Sequence, residues 1–174
     1  MDSKESLTPL ESVAADLEGK DCHIGIVVSK FNEVVTARLL AGAELTLKEC
    51  GTPLEHIQVI WVPGAFELPL AAKTLAQSRR FDAIICLGAV IRGETPHFDF
   101  ISTETSRGIG SASLETGIPI IFGVLTTDTV EQAMARSGPP ERNKGVEVAR
   151  TAIEMSSLMK QLSTTKFRQS GFLR

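Results

Sequence analysis

The sequence reads as an α/β protein: a three-layer α/β/α sandwich with a four-stranded parallel sheet at its centre. Three observations point there. Four short runs rich in Ile, Val and Phe are separated by longer stretches whose apolar residues recur at helical spacing. The runs lack polar alternation, as strands covered on both faces should. The intervening stretches begin and end with helix start and stop chemistry.

Residues 22–29 (Cys-His-Ile-Gly-Ile-Val-Val-Ser) form a buried strand. Val35, Leu39, Ala43 and Leu47 recur every fourth position over a helix at 33–50. Gly51 is placed to close that helix in a left-handed conformation, ahead of Thr52-Pro53. Residues 57–62 are the second strand, and a helix over 67–78 carries Pro69 in its first turn, where its missing N–H costs nothing. The third strand is 82–90, followed by a helix over 98–115 with Ile101, Thr105, Ile109 and Ala112 on one face. Residues 118–125 are the fourth strand. Asp128 with Glu131 three positions later reads as a capping box opening a short helix to about Arg136. A last helix runs from about Lys144 to Lys160. Strands alternating with helices imply a flavodoxin-like parallel sheet, and such sheets bind ligands beyond the carboxyl ends of their strands.

Length and charge exclude several classes. The chain has 174 residues, with 18 Lys and Arg against 21 Asp and Glu, a net charge of −3. That is one domain's length, and a mildly acidic chain without a basic stripe is no nucleic-acid binder. With 43% apolar and 22% charged residues it is ordinary globular material. Ala83 to Ile91, a run free of polar side chains as long as any in the chain, is far short of the roughly 20 residues that span a bilayer. The first residues show no secretory pattern. Cys22, Cys50 and Cys86 are scattered and form neither a disulfide framework nor a zinc knuckle, so a reduced cytoplasmic setting is expected. Residues 1–21 carry six acids and two bases and read as a tail or arm, with room for an extra strand. Residues 22–160 form a single α/β catalytic domain, and 161–174 a basic C-terminal tail.

The chemistry-bearing residues cluster where strands end. The first strand ends in Lys30-Phe31-Asn32. Phe31 there is either a hydrophobic plug or a stacking platform for a flat ligand, and Asn32 can cap the following helix. The second strand ends in Pro63-Gly64-Ala65-Phe66-Glu67, a tight turn that presents an aromatic ring and a carboxylate. The third leads into Arg92-Gly93-Glu94-Thr95-Pro96-His97-Phe98-Asp99. Backbone N–H groups and a hydroxyl ahead of a helix suit an oxyanion or phosphate, and His97 can shuttle protons near neutral pH. His97 and Asp99 lack the third group a metal site needs. Arg136 ends a helix as a dipole partner or an anion clamp. Gly108-Ile109-Gly110 lies within a helix and is no dinucleotide fingerprint.

These segments, in this order, resemble the lumazine synthase family. The matching blocks are Lys30-Phe31-Asn32, Val62 through Glu67, Gly88 through His97, Ile120 through Thr127, and Arg136 through Asn143-Lys144-Gly145. The resemblance implies a cofactor-free and metal-free condensation of 5-amino-6-(D-ribitylamino)uracil with 3,4-dihydroxy-2-butanone 4-phosphate. The product is 6,7-dimethyl-8-ribityllumazine, in the penultimate step of riboflavin biosynthesis. It also implies a homo-oligomer, a pentamer or multiples of it, with active sites between adjacent subunits.

Carried over residue by residue, Phe31 would stack on the pyrimidine. Ala65, Phe66 and Glu67 would hold the ribityl side. Ala89, Val90 and Ile91 would line the ring pocket and bond its edge through the backbone. Glu94 and Thr95 would offer N–H groups to the phosphate, and His97 would move protons. Phe122 and Arg136 would come from the neighbouring subunit, covering the ring and pairing with the phosphate. Asn32, Lys144 and Glu147 would support the pocket, Glu147 by orienting His97.

Two departures stand out. Pro96 replaces the Thr or Ala more usual in the family and removes an N–H beside the phosphate loop. Gly138-Pro139-Pro140-Glu141-Arg142-Asn143 lacks the Gly-Thr-Lys-Ala-Gly-Asn pattern of members that build sixty-subunit shells. Two rival readings are a riboflavin synthase of the same superfamily and a non-catalytic flavin- or lumazine-binding shell protein. A flavodoxin-like signalling domain would need an acidic cluster where Ser29-Lys30-Phe31 stands.

Overall fold

In a computed structural model, residues 13–164 are described. The elements are β1 (Ile24–Ser29), α1 (Glu33–Glu49), β2 (Ile57–Val62), α2 (Leu68–Gln77), β3 (Ala83–Ile91), α3 (His97–Thr116), β4 (Ile120–Thr127), α4 (Val130–Ser137) and α5 (Lys144–Thr164). The strands form one four-stranded, all-parallel sheet in the order β2-β1-β3-β4. The expected three-layer arrangement is therefore present.

Strand periodicity explains the layers. Side chains on a strand alternate between faces. Ile24, Ile26 and Val28 of β1, with Ala83, Ile85 and Leu87 of β3, join Val35, Leu39, Ala43 and Leu47 of α1 and Val148, Ala152 and Ile153 of α5 in one core. Val27, Ile84 and Cys86 face the other way, against Leu68, Ala72 and Ala76 of α2 and Ile109 and Ala112 of α3. All four α1 residues picked out by spacing are buried. Close approach is met by small residues. Gly108 packs against Pro69, where a Cβ would come within 2.8 Å of the ring, and Gly145 sits against the Leu39 carbonyl.

Gly51 has φ +88, and its N–H and that of Thr52 donate to the carbonyls of Lys48 and Leu47, the closing pattern expected of it. The capping box lies one residue later than expected. Thr129 accepts from the Gln132 N–H while the Gln132 side chain accepts from the Thr129 N–H. Glutamine fills the third helical position as well as glutamate does, and β4, running to Thr127, displaces Asp128 from the cap. Helix α5 continues to Thr164, past the expected Lys160. Among the described residues 13–23 there is no strand. The segment lies along the helix ends instead, the Gly19 N–H donating to the Cys50 carbonyl and Gln161 Nε2 to the Ala14 carbonyl. The remainder of the expected arm, 1–12, and the tail from 165 onward lie outside the described residues.

Candidate active site

The strand order decides where a ligand can sit. The connection from β1 leads outward to β2 and that from β3 leads the other way to β4. Adjacent strands whose connections diverge leave a crevice at their carboxyl ends. Here that crevice lies between β1 and β3.

Local hydrogen bonds shape its first side. Beyond β1, the Lys30 N–H donates to the Val62 carbonyl at 2.8 Å and the Phe31 N–H to the Pro63 carbonyl at 3.1 Å. The chain then turns through Asn32 in the left-handed region, φ 59, a conformation asparagine tolerates better than most residues. Asn32 does not cap α1. Its Nδ2 donates to the Ala89 carbonyl at 2.8 Å instead, tying the β1 loop to the end of β3. The left-handed backbone turns the side chain away from the free N–H groups of α1 and across the crevice. With its backbone spent on β2, Phe31 projects outward and is 70% exposed.

A cleft of about 480 Å³ opens there. The β1 loop contributes Phe31. The turn after β2 contributes Gly64, Ala65, Phe66 and Glu67. The end of β3 contributes Ala89, Val90 and Ile91, and the next loop and the start of α3 contribute Gly93, Thr95, His97, Phe98 and Ile101. Nine of the residues named from sequence thus share one cavity. Sequence reading assigned no part in the site to Phe98 or Ile101, although their three-residue spacing at a helix start places them on one side of the helix.

The cleft suits a flat, polar ligand with a charged group at one end. Phe31 and Phe66 offer exposed rings, and Phe66 is 56% exposed. Glu67 is a hydrogen-bond acceptor. The backbone N–H groups of Gly93, Glu94 and Thr95 have no acceptor among the described residues. Pro96 fits without distortion: its φ of −63 opens α3, and its carbonyl accepts from the Asp99 N–H. Among the described residues lining the cleft there is no Lys or Arg. Arg92, beside it, is committed: Nε donates to Asp128 at 2.9 Å, and Nη1 and Nη2 donate to the two oxygens of Asp99 at 3.3 and 3.1 Å. These bonds, Asp99's first, push the Arg92 pKa further up.

Besides Asn32, five expected residues lie outside the cleft lining on the same chain. Phe122 is half-buried in β4, in register with Cys86, and packs against the α2/α3 core. Arg136 lines a separate groove of about 310 Å³ with Thr126, Thr127, Gln132 and Arg142. Its guanidinium has no partner among the described residues. Lys144 and Glu147 pair with each other at 2.6 Å, and Glu147 lines a groove with Arg150 rather than the cleft. Glu94 stands in the turn between Gly93 and Thr95, outside the cleft lining. Among the described residues no group of three side chains is placed to hold a metal, and Asp99 is occupied by Arg92. Nor is any described helix long and apolar enough to cross a membrane. Residues 21–160 match the family described as 6,7-dimethyl-8-ribityllumazine synthase.

Proposed function

The chain belongs to the 6,7-dimethyl-8-ribityllumazine synthase family of riboflavin biosynthesis, and we propose that it condenses 5-amino-6-(D-ribitylamino)uracil with 3,4-dihydroxy-2-butanone 4-phosphate, releasing phosphate and water. The observation that carries this reading is the composition of the β1/β3 cleft. It holds two open aromatic rings, a strand-end backbone and, among the described residues, N–H groups without acceptors beside a histidine and no Lys or Arg.

The pyrimidine stacks on Phe31, with its edge bonded by the backbone of Ala89, Val90 and Ile91. The ribityl chain runs along Ala65 and Phe66, its hydroxyls donating to Glu67. The phosphate lies against the N–H groups at Gly93–Thr95 and the Thr95 hydroxyl. The amine attacks the ketone to give an imine with loss of water. Phosphate then leaves, and the second ring closes with a further dehydration. His97 takes and returns protons in these steps. Holding two reactants together supplies most of the acceleration, on the order of 7–11 kcal/mol, and proton transfer adds about 10²–10⁴-fold.

A phosphate needs a cation, and among the described residues lining the cleft of one chain there is none. Arg136, without a partner among the described residues, is the counterpart, and it serves a neighbouring copy's cleft, with Phe122 covering the ring. The working unit is a homo-oligomer, a pentamer or a multiple of it. Each copy gives a cleft to one neighbour and an arginine to the other.

The test is a product assay with both substrates, followed by absorbance and fluorescence of the lumazine, on wild type, His97→Ala, Arg136→Ala and the two variants co-expressed. Arg136→Ala should raise KM for the phosphate substrate. The mixed assemblies should exceed either variant alone, since one interface then pairs an intact His97 with an intact Arg136. Lumazine binding without condensation would refute the reaction. Mixtures no better than their components would refute the shared site.

A further inference from the structure

Arg92 immediately precedes the phosphate loop, and each of its three guanidinium nitrogens donates elsewhere. Nε holds Asp128 at the end of β4, and both Nη atoms hold Asp99 in the first turn of α3. The guanidinium carbon lies 4.1 Å from the centroid of the Phe98 ring. The Arg92 N–H extends the sheet by donating to the Thr127 carbonyl at 2.9 Å. Asp128 is anchored in turn, its N–H donating to the Gln132 side chain at 2.9 Å.

We propose that Arg92 is a positioning residue for the reaction: by gripping Asp99, Asp128 and Phe98 together it closes the Gly93–Phe98 turn and sets Thr95 and His97 against the substrates. The proposal rests on the function proposed above. Both residues that follow His97 are held by this one side chain, and the backbone that precedes the loop is fixed to β4. The five residues from Gly93 to His97 therefore run between two points pinned by the same arginine. A lysine carries the charge but not the fork, and cannot engage both carboxylates at these angles.

The network is exposed, with side-chain exposures of 43% for Arg92, 60% for Asp99 and 69% for Asp128. Such pairs add little to global stability. Loop geometry matters far more to the reaction, since a misplacement of about 1 Å can cost about 10²-fold in rate. The network thus acts on activity much more than on folding.

The experiment compares wild type, Arg92→Lys and Asp99→Asn. It reads KM for each substrate, kcat, binding of inorganic phosphate by calorimetry, and the thermal midpoint. In both variants, phosphate affinity and KM for the butanone phosphate should worsen by about tenfold and kcat should fall. KM for the uracil should stay within about twofold, because Phe31 and the end of β3 are untouched. Asp99→Asn is the decisive arm. If Arg92 were itself the phosphate ligand, releasing it would tighten phosphate binding, so equal or tighter binding overturns the proposal. Arg92→Lys indistinguishable from wild type also overturns it. Should wild type bind phosphate yet make no lumazine, the reaction fails, while the variants' loss of phosphate affinity still reports on the positioning role.

Discussion

Asn143 joins three helices through one side chain, and Asn143→Asp replaces it with a group of the same shape that cannot donate. Nδ2 donates to the Ser137 carbonyl at 3.0 Å and the Arg38 carbonyl at 3.2 Å, with a longer contact of 3.4 Å to Gly138. Oδ1 accepts from the Gly145 N–H at 2.8 Å, and the residue is 6% exposed. The substitution keeps the Gly145 bond and loses the two good donor bonds, each worth about 0.5–1.5 kcal/mol net. It also turns a carboxylate oxygen towards two buried carbonyls, adding about 1–3 kcal/mol. A loss of roughly 4 kcal/mol follows, or about 8–16 °C in thermal midpoint for a chain of this size.

The pH dependence has a definite sign. Burial and facing carbonyls raise the introduced carboxyl's pKa in the folded state above its unfolded value of about 3.9. Below the unfolded value both states are protonated and the charge penalty is absent. It grows as pH rises towards the folded pKa and is then constant. Urea unfolding at matched protein concentration, at pH 4 and pH 7, measures both effects. A variant within about 0.5 kcal/mol of wild type at pH 7, the range of inconsequential surface changes, would refute the reasoning. So would a deficit larger at pH 4. Because Ser137 follows Arg136, KM for the phosphate substrate should rise as well.

Phe31→Ala should raise KM for the uracil roughly 2- to 10-fold, the 0.5–1.5 kcal/mol range of an aromatic pair, with little change for the butanone phosphate; equal effects on both would contradict a stacking role. His97→Ala should slow turnover by no more than about 10²–10⁴-fold and leave measurable condensation, because substrate binding is intact; complete loss in single-turnover assays would show that His97 does more than move protons. Cys86 is wholly buried and its thiol is pushed far up by that burial, so alkylation at pH 8 should spare it until denaturant is added; modification in the native protein at a free thiol's rate would contradict its place in the core.

The layers and the location of the candidate cleft were legible because their signals are local. The four apolar runs, the four-residue repeat of α1 and Gly51 each follow from a few neighbouring residues. The strand ends fall where those patterns stop. The capping box lay beyond that reach by one position, since Thr129-Gln132 and Asp128-Glu131 both satisfy the pattern and the length of β4 chooses between them. Asn32 shows the same limit. Its residue type suits a cap, but its left-handed backbone sends the amide to Ala89, 57 positions away.

Residue order alone carried the alternation of strands and helices and the chemistry offered at each strand end, because both depend on spacing along the backbone. Which offerings meet depended on pairing β3 beside β1, which opens the cleft and places Phe31 opposite Ala89 and His97 while leaving Phe122 and Arg136 outside it. Packing also settled which charges are free. Arg92 and Arg136 look alike in sequence, but the fold surrounds one with two carboxylates and leaves the other without a partner among the described residues. A side chain's partners are set by distances through space, and those exist only once the sheet has formed.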